Sequence, residues 1–170
     1  MNELDFKIEE AINEPIKGYE AGSPEKKSLK CKLDEMMSTK YDIPIIINGE
    51  EIRTNNLGEC IMPHDHKHIL GHYHKASEKE INMAIESLLD TWKSWSHTPL
   101  EERITIFKNM ANLLQTKYRN IINAATMLGQ SKNVFQAEID SACELIDFFN
   151  FNCEYLYNIY KEQPKYSPEG

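Results

Sequence analysis

The feature that most constrains this chain is a long apolar stripe between Phe135 and Tyr160. Apolar residues recur there at alternating intervals of four and three, which is the period of one helix face. They are Phe135, Ile139, Ala142, Ile146, Phe149, Cys153, Leu156 and Tyr160. A coiled coil would show such a stripe, but a single helix buried against several others explains it as well. The sequence therefore predicts one long helix near the end of a helical region.

Three shorter helices are predicted before this stripe. Ser77 to Glu80 has the sequence of a capping box, in which hydroxyl and carboxylate bond the free amides of a first helical turn. A second such box at Thr98 to Glu101 opens the next helix, and a third helix over about 117–128 is predicted to end at Gly129. In the first of these helices the apolar residues are spaced for burial, and both tryptophans are expected in the core. They are Ile81, Ala84, Ile85, Leu88, Leu89, Trp92 and Trp95.

The N-terminal part of the chain has a different pattern. Residues 1–22 lack a clear period and are predicted to form an extended arm. Ser23 before Pro24 is typical of a helix start, because the hydroxyl can cap and proline suits the first helical position. A charged helix is therefore predicted over about 24–38.

Short strands are predicted after this helix. The branched run Ile45 to Ile47 precedes Asn48-Gly49, a pair that tolerates positive φ and favours a two-residue hairpin turn. Gly58 and the Pro63 to Asp65 region bracket another predicted short strand, and residues 69–75 are predicted to be its return partner. Together these strands predict a small antiparallel β element.

Composition excludes several classes of protein. The 27 acidic and 19 basic residues give a net charge of -8, which argues against a nucleic-acid or anionic-membrane binder. The longest apolar run, Ile43 to Ile47, is too short to span a bilayer. Seven glycines form no cluster that would cradle a phosphate. The four cysteines lack a Cys-x-x-Cys pair and are predicted to be reduced, with Cys143 and Cys153 spaced for burial on a helix.

An acidic and aromatic face is predicted on the last helix. Asp140, Glu144, Asp147, Phe148 and Phe151 share this face by their three- and four-residue spacing. The face could place a carboxylate beside aromatic rings at the edge of a binding site. A solvated acidic surface is the alternative, and spacing alone favours it.

Several segments together resemble a known family. The stretch "GQSKNVFQAEIDSACELIDFFNFNCEYL", residues 129–156, resembles the N-terminal region of the Δ1-pyrroline-5-carboxylate dehydrogenases, a branch of the aldehyde dehydrogenase superfamily. Other matching segments occur in the same order, namely "NEPI", "GSPE", "IPIIINGEEI", "KHILGHYHKA" and "PLEER". The resemblance runs from about Asn13 to Gly170.

The resemblance implies an α+β segment of the aldehyde dehydrogenase fold. This segment has an N-terminal arm and helix, small antiparallel β hairpins and then four helices, without the Rossmann-like cofactor core and the catalytic domain. The implied divisions are an arm over 1–22, a helix with hairpins over 23–76, a helical part over 77–160 and the start of an oligomerisation flap over 161–170.

The resemblance also implies a reaction, the NAD-dependent oxidation of glutamate γ-semialdehyde to glutamate in proline breakdown. Glu144 matches a glutamate that faces the aldehyde site, and Phe148 and Phe151 are expected beside it on the same wall. The family's catalytic cysteine and NAD site lie outside the matched segment. This chain alone is therefore expected to bind no cofactor and to be inactive.

Partners and compartment follow from the same resemblance. Family members form homo-oligomers, and an alternative role is a non-catalytic module that docks on full-length subunits. The family is typically found in the mitochondrial matrix of eukaryotes. The N-terminus shows no transit pattern, so the cytoplasm is expected if the chain is complete as written.

Five of the six histidines lie in "HDHKHILGHYH", residues 64–74. His64, His66 and His68 are predicted at a turn, whereas His72 and His74 share one strand face by the period of two. A zinc site would need three or four converging ligands with groups that orient them. The family that the chain resembles uses no metal there, so a metal site is disfavoured and the stretch is predicted to be sheet.

Overall fold

The structure is a computed structural model that describes residues 6–164, 166 and 168. The helices are α1 (Pro24–Ser38), α2 (Glu78–Trp95), α3 (Leu100–Leu113), α4 (Arg119–Gln130), α5 (Val134–Ala137) and α6 (Glu144–Lys161). The strands are β1 (Tyr41–Ile43), β2 (Ile45–Ile47), β3 (Glu50–Ile52), β4 (Leu57–Met62) and β5 (Asp65–His74). The predicted α+β class is confirmed. The start of the arm and part of the predicted flap over 161–170 lie outside the described residues.

The predicted hairpin at Asn48-Gly49 is confirmed. Strands β2 and β3 pair antiparallel, and the two turn residues have φ angles of 51° and 78°. Positive φ at both positions gives the turn the twist that two antiparallel strands need.

The second sheet differs from the prediction in two ways. Its strand order is β1-β5-β4, and β1 pairs with β5 in parallel, with Tyr41 opposite Gly71. Pro44 separates β1 from β2 and has no N–H to continue a ladder, so the two short strands join different sheets. The return strand β5 starts at Asp65 rather than 69, because Pro63 and His64 alone make the turn. His66 and His68 therefore lie in the strand and not at the turn.

Helix starts were predicted with mixed success. Ser23 caps α1 through its hydroxyl, and Ser77 with Glu80 forms the expected capping box at α2. The second predicted box is wrong. The Thr98 hydroxyl donates instead to the carbonyl of Ser94 at 3.3 Å, and Pro99 precedes α3 without a side-chain cap.

The joint after α4 lies two residues later than predicted. A π-helical segment, residues 114–118, links α3 to α4, and α4 continues through Gly129 to Gln130. Ser131 then takes the left-handed conformation with φ 55°. Asn133 and Gln136 form a capping box that starts α5, and this fixes the turn just before Asn133.

The long predicted helix is interrupted by a second π-helical segment, residues 138–143. The middle of the apolar stripe is buried, at Ala142, Ile146 and Cys153. Phe135 and Tyr160, at its two ends, are exposed. A π-helical turn closes over one extra residue and rotates the following face, so the stripe does not stay in phase along its whole length.

The core is formed mainly by helix pairs. In one pair α3 packs on α6 through Leu100, Ile104 and Cys153, and in the other α1 packs on α4 through Leu29 and Ala124. Helix α2 lies beside β2, and the described residues do not cover its apolar face.

The prediction that both tryptophans are core residues is wrong. Trp92 is 66% exposed and Trp95 is 39% exposed. Helical spacing shows that the residues share a face, but it does not show what covers that face. Within the described residues, no helix combines the length and apolarity that crossing a bilayer requires.

Candidate functional site

A fully buried carboxylate lies where the arm, α4 and the second π-helical segment meet. The carboxylate belongs to Glu138, which accepts hydrogen bonds from the Arg119 guanidinium. The Tyr19 hydroxyl donates to it at 2.7 Å, and Asn123 Nδ2 donates at 2.8 Å. Burial by itself raises the pKa of Glu138, but these donors and the Lys17 amide outweigh burial and lower it to about 2. Glu138 is therefore a permanent anion at physiological pH.

Arg119 joins this anion to the arm. Its guanidinium also donates to the Glu14 carboxylate and, at 2.9 Å, to the carbonyl of Pro15. Gln115 Nε2 bonds the second oxygen of Glu14 at 2.7 Å. All of these charged groups are buried, so each needs its partner to offset the cost of leaving water.

Three carboxylates of the last helical region accept amides from the arm at intervals of three residues. The pairs are Ala11 with Glu154 at 2.6 Å, Glu14 with Asp147 at 2.7 Å, and Lys17 with Glu138 at 2.7 Å. Hydrogen bonds to an ionised acceptor are stronger than neutral ones. These bonds set the register of the arm along the helix.

Sequence reasoning did not identify this network. Glu14 stands in the segment "NEPI", which entered only as part of the resemblance. Glu138 and Arg119 look like ordinary surface charges on amphipathic helices. The sequence does not show that both residues lie on the buried side of their helices.

A cavity of about 650 Å³ lies between the arm and α6. Helix residues in its lining include Glu144, Asp147, Phe148, Phe151 and Tyr155, and arm residues include Asn13, Glu14 and Ile16. The structure therefore brings together the three residues predicted for a substrate-site wall, which are Glu144, Phe148 and Phe151. Their part in catalysis stays a prediction.

The three carboxylates on this face have different surroundings. Asp140 is paired with Lys132 Nζ at 2.7 Å, and Asp147 bonds the arm. Glu144 is exposed and has no hydrogen-bond or ion-pair partner in the part of the chain that the structure describes. An unpartnered carboxylate beside the rings of Phe148 and Phe151 can accept a hydrogen bond from a bound molecule or attract its cationic group.

Cys143 also lines the cavity, but its thiol is poorly suited to nucleophilic attack. Burial, followed by the negative charge of Glu138, raises the pKa of Cys143 to about 11. Burial likewise raises the pKa of Cys153. Because the thiolate is the nucleophile, neither thiol has the environment of a catalytic cysteine.

His64, in the turn before β5, and His74, at the end of β5, have separate partners. His64 Nδ1 lies 2.7 Å from Ser131 Oγ. His74 places Nδ1 2.7 Å from the carbonyl oxygen of Thr54 and Nε2 3.0 Å from Asp42 Oδ1. Over residues 6–164, 166 and 168, no three or more histidine, cysteine, aspartate or glutamate side chains are grouped to hold a metal ion.

A model of the aldehyde dehydrogenase family matches residues 51–169, and the chain belongs to that family.

Within the family, the chain is similar to Delta-1-pyrroline-5-carboxylate dehydrogenases, as the sequence predicted. It is 43% identical over 166 residues to the enzyme of Agaricus bisporus, and the aligned residues cover 97% of this chain and 30% of the relative. It is 38% identical over 152 residues to the mitochondrial Delta-1-pyrroline-5-carboxylate dehydrogenase of Homo sapiens. This alignment covers 89% of this chain and 27% of the relative.

A solved structure supports the same assignment. The Delta-pyrroline-5-carboxylate dehydrogenase from Mycobacterium tuberculosis, bound with NAD, matches with a TM-score of 0.92 at 35% identity. The match covers 99% of this chain and 31% of that chain. The chain thus spans about 30% of the length of the relatives that it matches.

Proposed function

We propose that this chain supplies one wall of the aldehyde site in an NAD-dependent Δ1-pyrroline-5-carboxylate dehydrogenase. The reaction is the oxidation of glutamate γ-semialdehyde to glutamate in proline breakdown. The observation that carries the proposal is the cavity lined by Glu144. The chain that forms this cavity is similar to these enzymes over 97% of its own length.

Each residue of the wall has a role that its surroundings support. The Glu144 carboxylate is free to accept a hydrogen bond from the substrate. Phe148 and Phe151 offer apolar faces that exclude water from the aliphatic part of a small molecule. Cys143 is a lining residue and not the nucleophile, because its pKa is raised.

NAD is assigned no residues on this chain. The described glycines at 18, 22, 49, 58, 71 and 129 are scattered, and none of them lies in a glycine-rich turn that could cradle a pyrophosphate. In the relative from Mycobacterium tuberculosis, NAD is bound by a chain of which this one covers 31%. When bound, NAD supplies the hydride acceptor, and Glu144, Phe148 and Phe151 hold and orient the aldehyde.

The direct test is NADH formation from pyrroline-5-carboxylate and NAD by the polypeptide of native length. We expect turnover with this substrate, and we expect the 170-residue chain alone to give none. Turnover of other aldehydes without turnover of pyrroline-5-carboxylate would contradict the proposed substrate.

A second candidate is a non-catalytic module that docks on full-length subunits, which in this family form homo-oligomers. The exposed apolar face of α2, with Leu88, Leu89 and Trp92, supports a surface that another subunit could cover. Co-purification of the isolated chain with a full-length subunit is the expected result. A monomer at micromolar concentration in the presence of that subunit would exclude this role.

We propose the mitochondrion as the compartment, supported by the names of relatives from Homo sapiens and Dictyostelium discoideum. Cell fractionation with an antibody against residues 134–150 tests this. Recovery in the cytosol alone would contradict it.

A further inference from the structure

The arm forms part of the lining of the cavity that contains Glu144. Asn13, Glu14 and Ile16 line it together with the helix residues. The arm over residues 7–20 forms neither helix nor strand, so no ladder of its own holds its backbone in place. Its position depends on hydrogen bonds to other elements, because ordering an extended segment costs conformational entropy.

Asp147 is the anchor that lies within the cavity. Its Oδ1 accepts the backbone amide of Glu14 at 2.7 Å, and its Oδ2 accepts the side-chain amide of Asn13 at 2.8 Å. The anchors on either side, Glu154 and Glu138, are not among the cavity residues. Both carboxylate oxygens of Asp147 are thus occupied by the arm.

The two walls are matched in character. Ile16 on the arm is 61% exposed and Phe148 on the helix is 55% exposed, so both keep apolar surface that a bound molecule would cover. The distance between them is set by where the arm is held.

We propose that Asp147 is a positioning residue that fixes the width of the Glu144 cavity by holding Asn13–Ile16 against the helix. Asp147 affects substrate binding by holding the arm in place, and its carboxylate does not contact the substrate. This inference rests on the proposed function, which it deepens by naming a determinant of substrate fit.

The test compares four variants of the native-length protein with pyrroline-5-carboxylate and with NAD as varied substrates. Asp147→Ala removes both arm bonds, and we expect KM for pyrroline-5-carboxylate to rise about tenfold, as loss of a charge-assisted bond implies. We expect kcat to change less and KM for NAD to stay unchanged. Asp147→Asn keeps an acceptor for the Glu14 amide but presents an NH2 group to Asn13 in place of Oδ2, so KM should rise less than in Asp147→Ala.

Glu154→Ala is the matched control. It removes the same kind of bond, to the amide of Ala11 at 2.6 Å, at a place outside the cavity. A general loosening of the arm would raise KM equally in Glu154→Ala and Asp147→Ala, whereas the proposal predicts a rise in Asp147→Ala alone. Asn13→Ala tests the same contact from the arm if Asp147→Ala fails to fold, with an expected rise of about threefold from the loss of one hydrogen bond.

The outcomes distinguish a failure of the proposed function from a failure of the inference alone. No turnover by the unsubstituted protein overturns the proposed function and this inference with it. Normal turnover with an unchanged KM in both Asp147→Ala and Asn13→Ala overturns the inference alone. An equal rise in Asp147→Asn and Asp147→Ala also overturns it, because the bond to the Glu14 amide that Asn retains would then have no effect on substrate fit.

Discussion

The Arg119 guanidinium contacts both oxygens of the Glu138 carboxylate, with Nε at 3.2 and 3.3 Å, and water reaches neither side chain appreciably. Arg119 is the first residue of α4 and Glu138 is the first residue of the second π-helical segment, and they fasten the N-terminal arm through Glu14 and Tyr19. The arm and the helices that form the cavity are thus held by one buried charged cluster.

Removing one member of this pair should be costly. Glu138→Ala leaves the Arg119 charge buried without its main partner, and we expect a loss of about 3–5 kcal/mol in the free energy of unfolding. Asp140→Ala is the control, since its ion pair with Lys132 is partly exposed and is worth at most about 1 kcal/mol. Urea denaturation measures both, and similar losses in the two variants would contradict the account.

The pKa of Glu138 predicts a dependence of stability on pH. Its value falls from 4.5 in the reference state to about 2 in the folded protein. The stabilisation is therefore fully present above about pH 4.5 and is lost as pH falls towards 2, by on the order of 3 kcal/mol.

Thermal denaturation between pH 6 and pH 2 measures this loss. The slope of stability against pH should be shallower in Glu138→Gln, which cannot ionise at this position. An unchanged slope would show that Glu138 does not contribute to acid unfolding.

Two glycines should respond in opposite ways to alanine. Gly129 lies inside α4, and an added Cβ meets nothing within 4 Å, so Gly129→Ala should stabilise the protein by up to about 1 kcal/mol. At Gly71 a Cβ would lie 2.4 Å from the carbonyl oxygen of Tyr41, so Gly71→Ala should separate β1 from β5 and destabilise the protein. Melting temperatures that move in the same direction would contradict this view of the two positions.

The cysteines should differ in reactivity. Cys31 is exposed, whereas Cys143 and Cys153 are buried and their pKa values are raised. Timed alkylation of the native protein followed by peptide mass spectrometry should modify Cys31 first and the buried pair only after unfolding. Early modification of Cys143 would contradict the burial and the raised pKa of this thiol.

Local sequence signals predicted part of the local structure, although the capping box expected at Thr98 is not formed. The Asn48-Gly49 turn and the capping box at Ser77 depend on residues adjacent in sequence, and both are present. The parallel pairing of Tyr41 with Gly71 joins distant segments, so no short pattern contains it. The π-helical segments were missed for a related reason, because packing and not propensity selects them.

The candidate site could be predicted only through resemblance. Spacing alone placed Glu144, Phe148 and Phe151 on one face, but it could not tell a solvated surface from a cavity wall. The arm closes that cavity, and its anchors Asp147 and Glu138 resemble any other acidic residue on a helix. Burial decided their role, and burial depends on the assembled fold.

The measurement that tests the central claim most directly is the kinetics of Glu144→Ala in the native-length protein, beside Asp140→Ala from the same acidic stretch. We expect kcat/KM for pyrroline-5-carboxylate to fall by about tenfold or more in Glu144→Ala, as loss of a charged hydrogen bond to the substrate implies, and to be unchanged in Asp140→Ala. Equal kcat/KM values in Glu144→Ala and the unsubstituted protein would show that this cavity is not part of the aldehyde site.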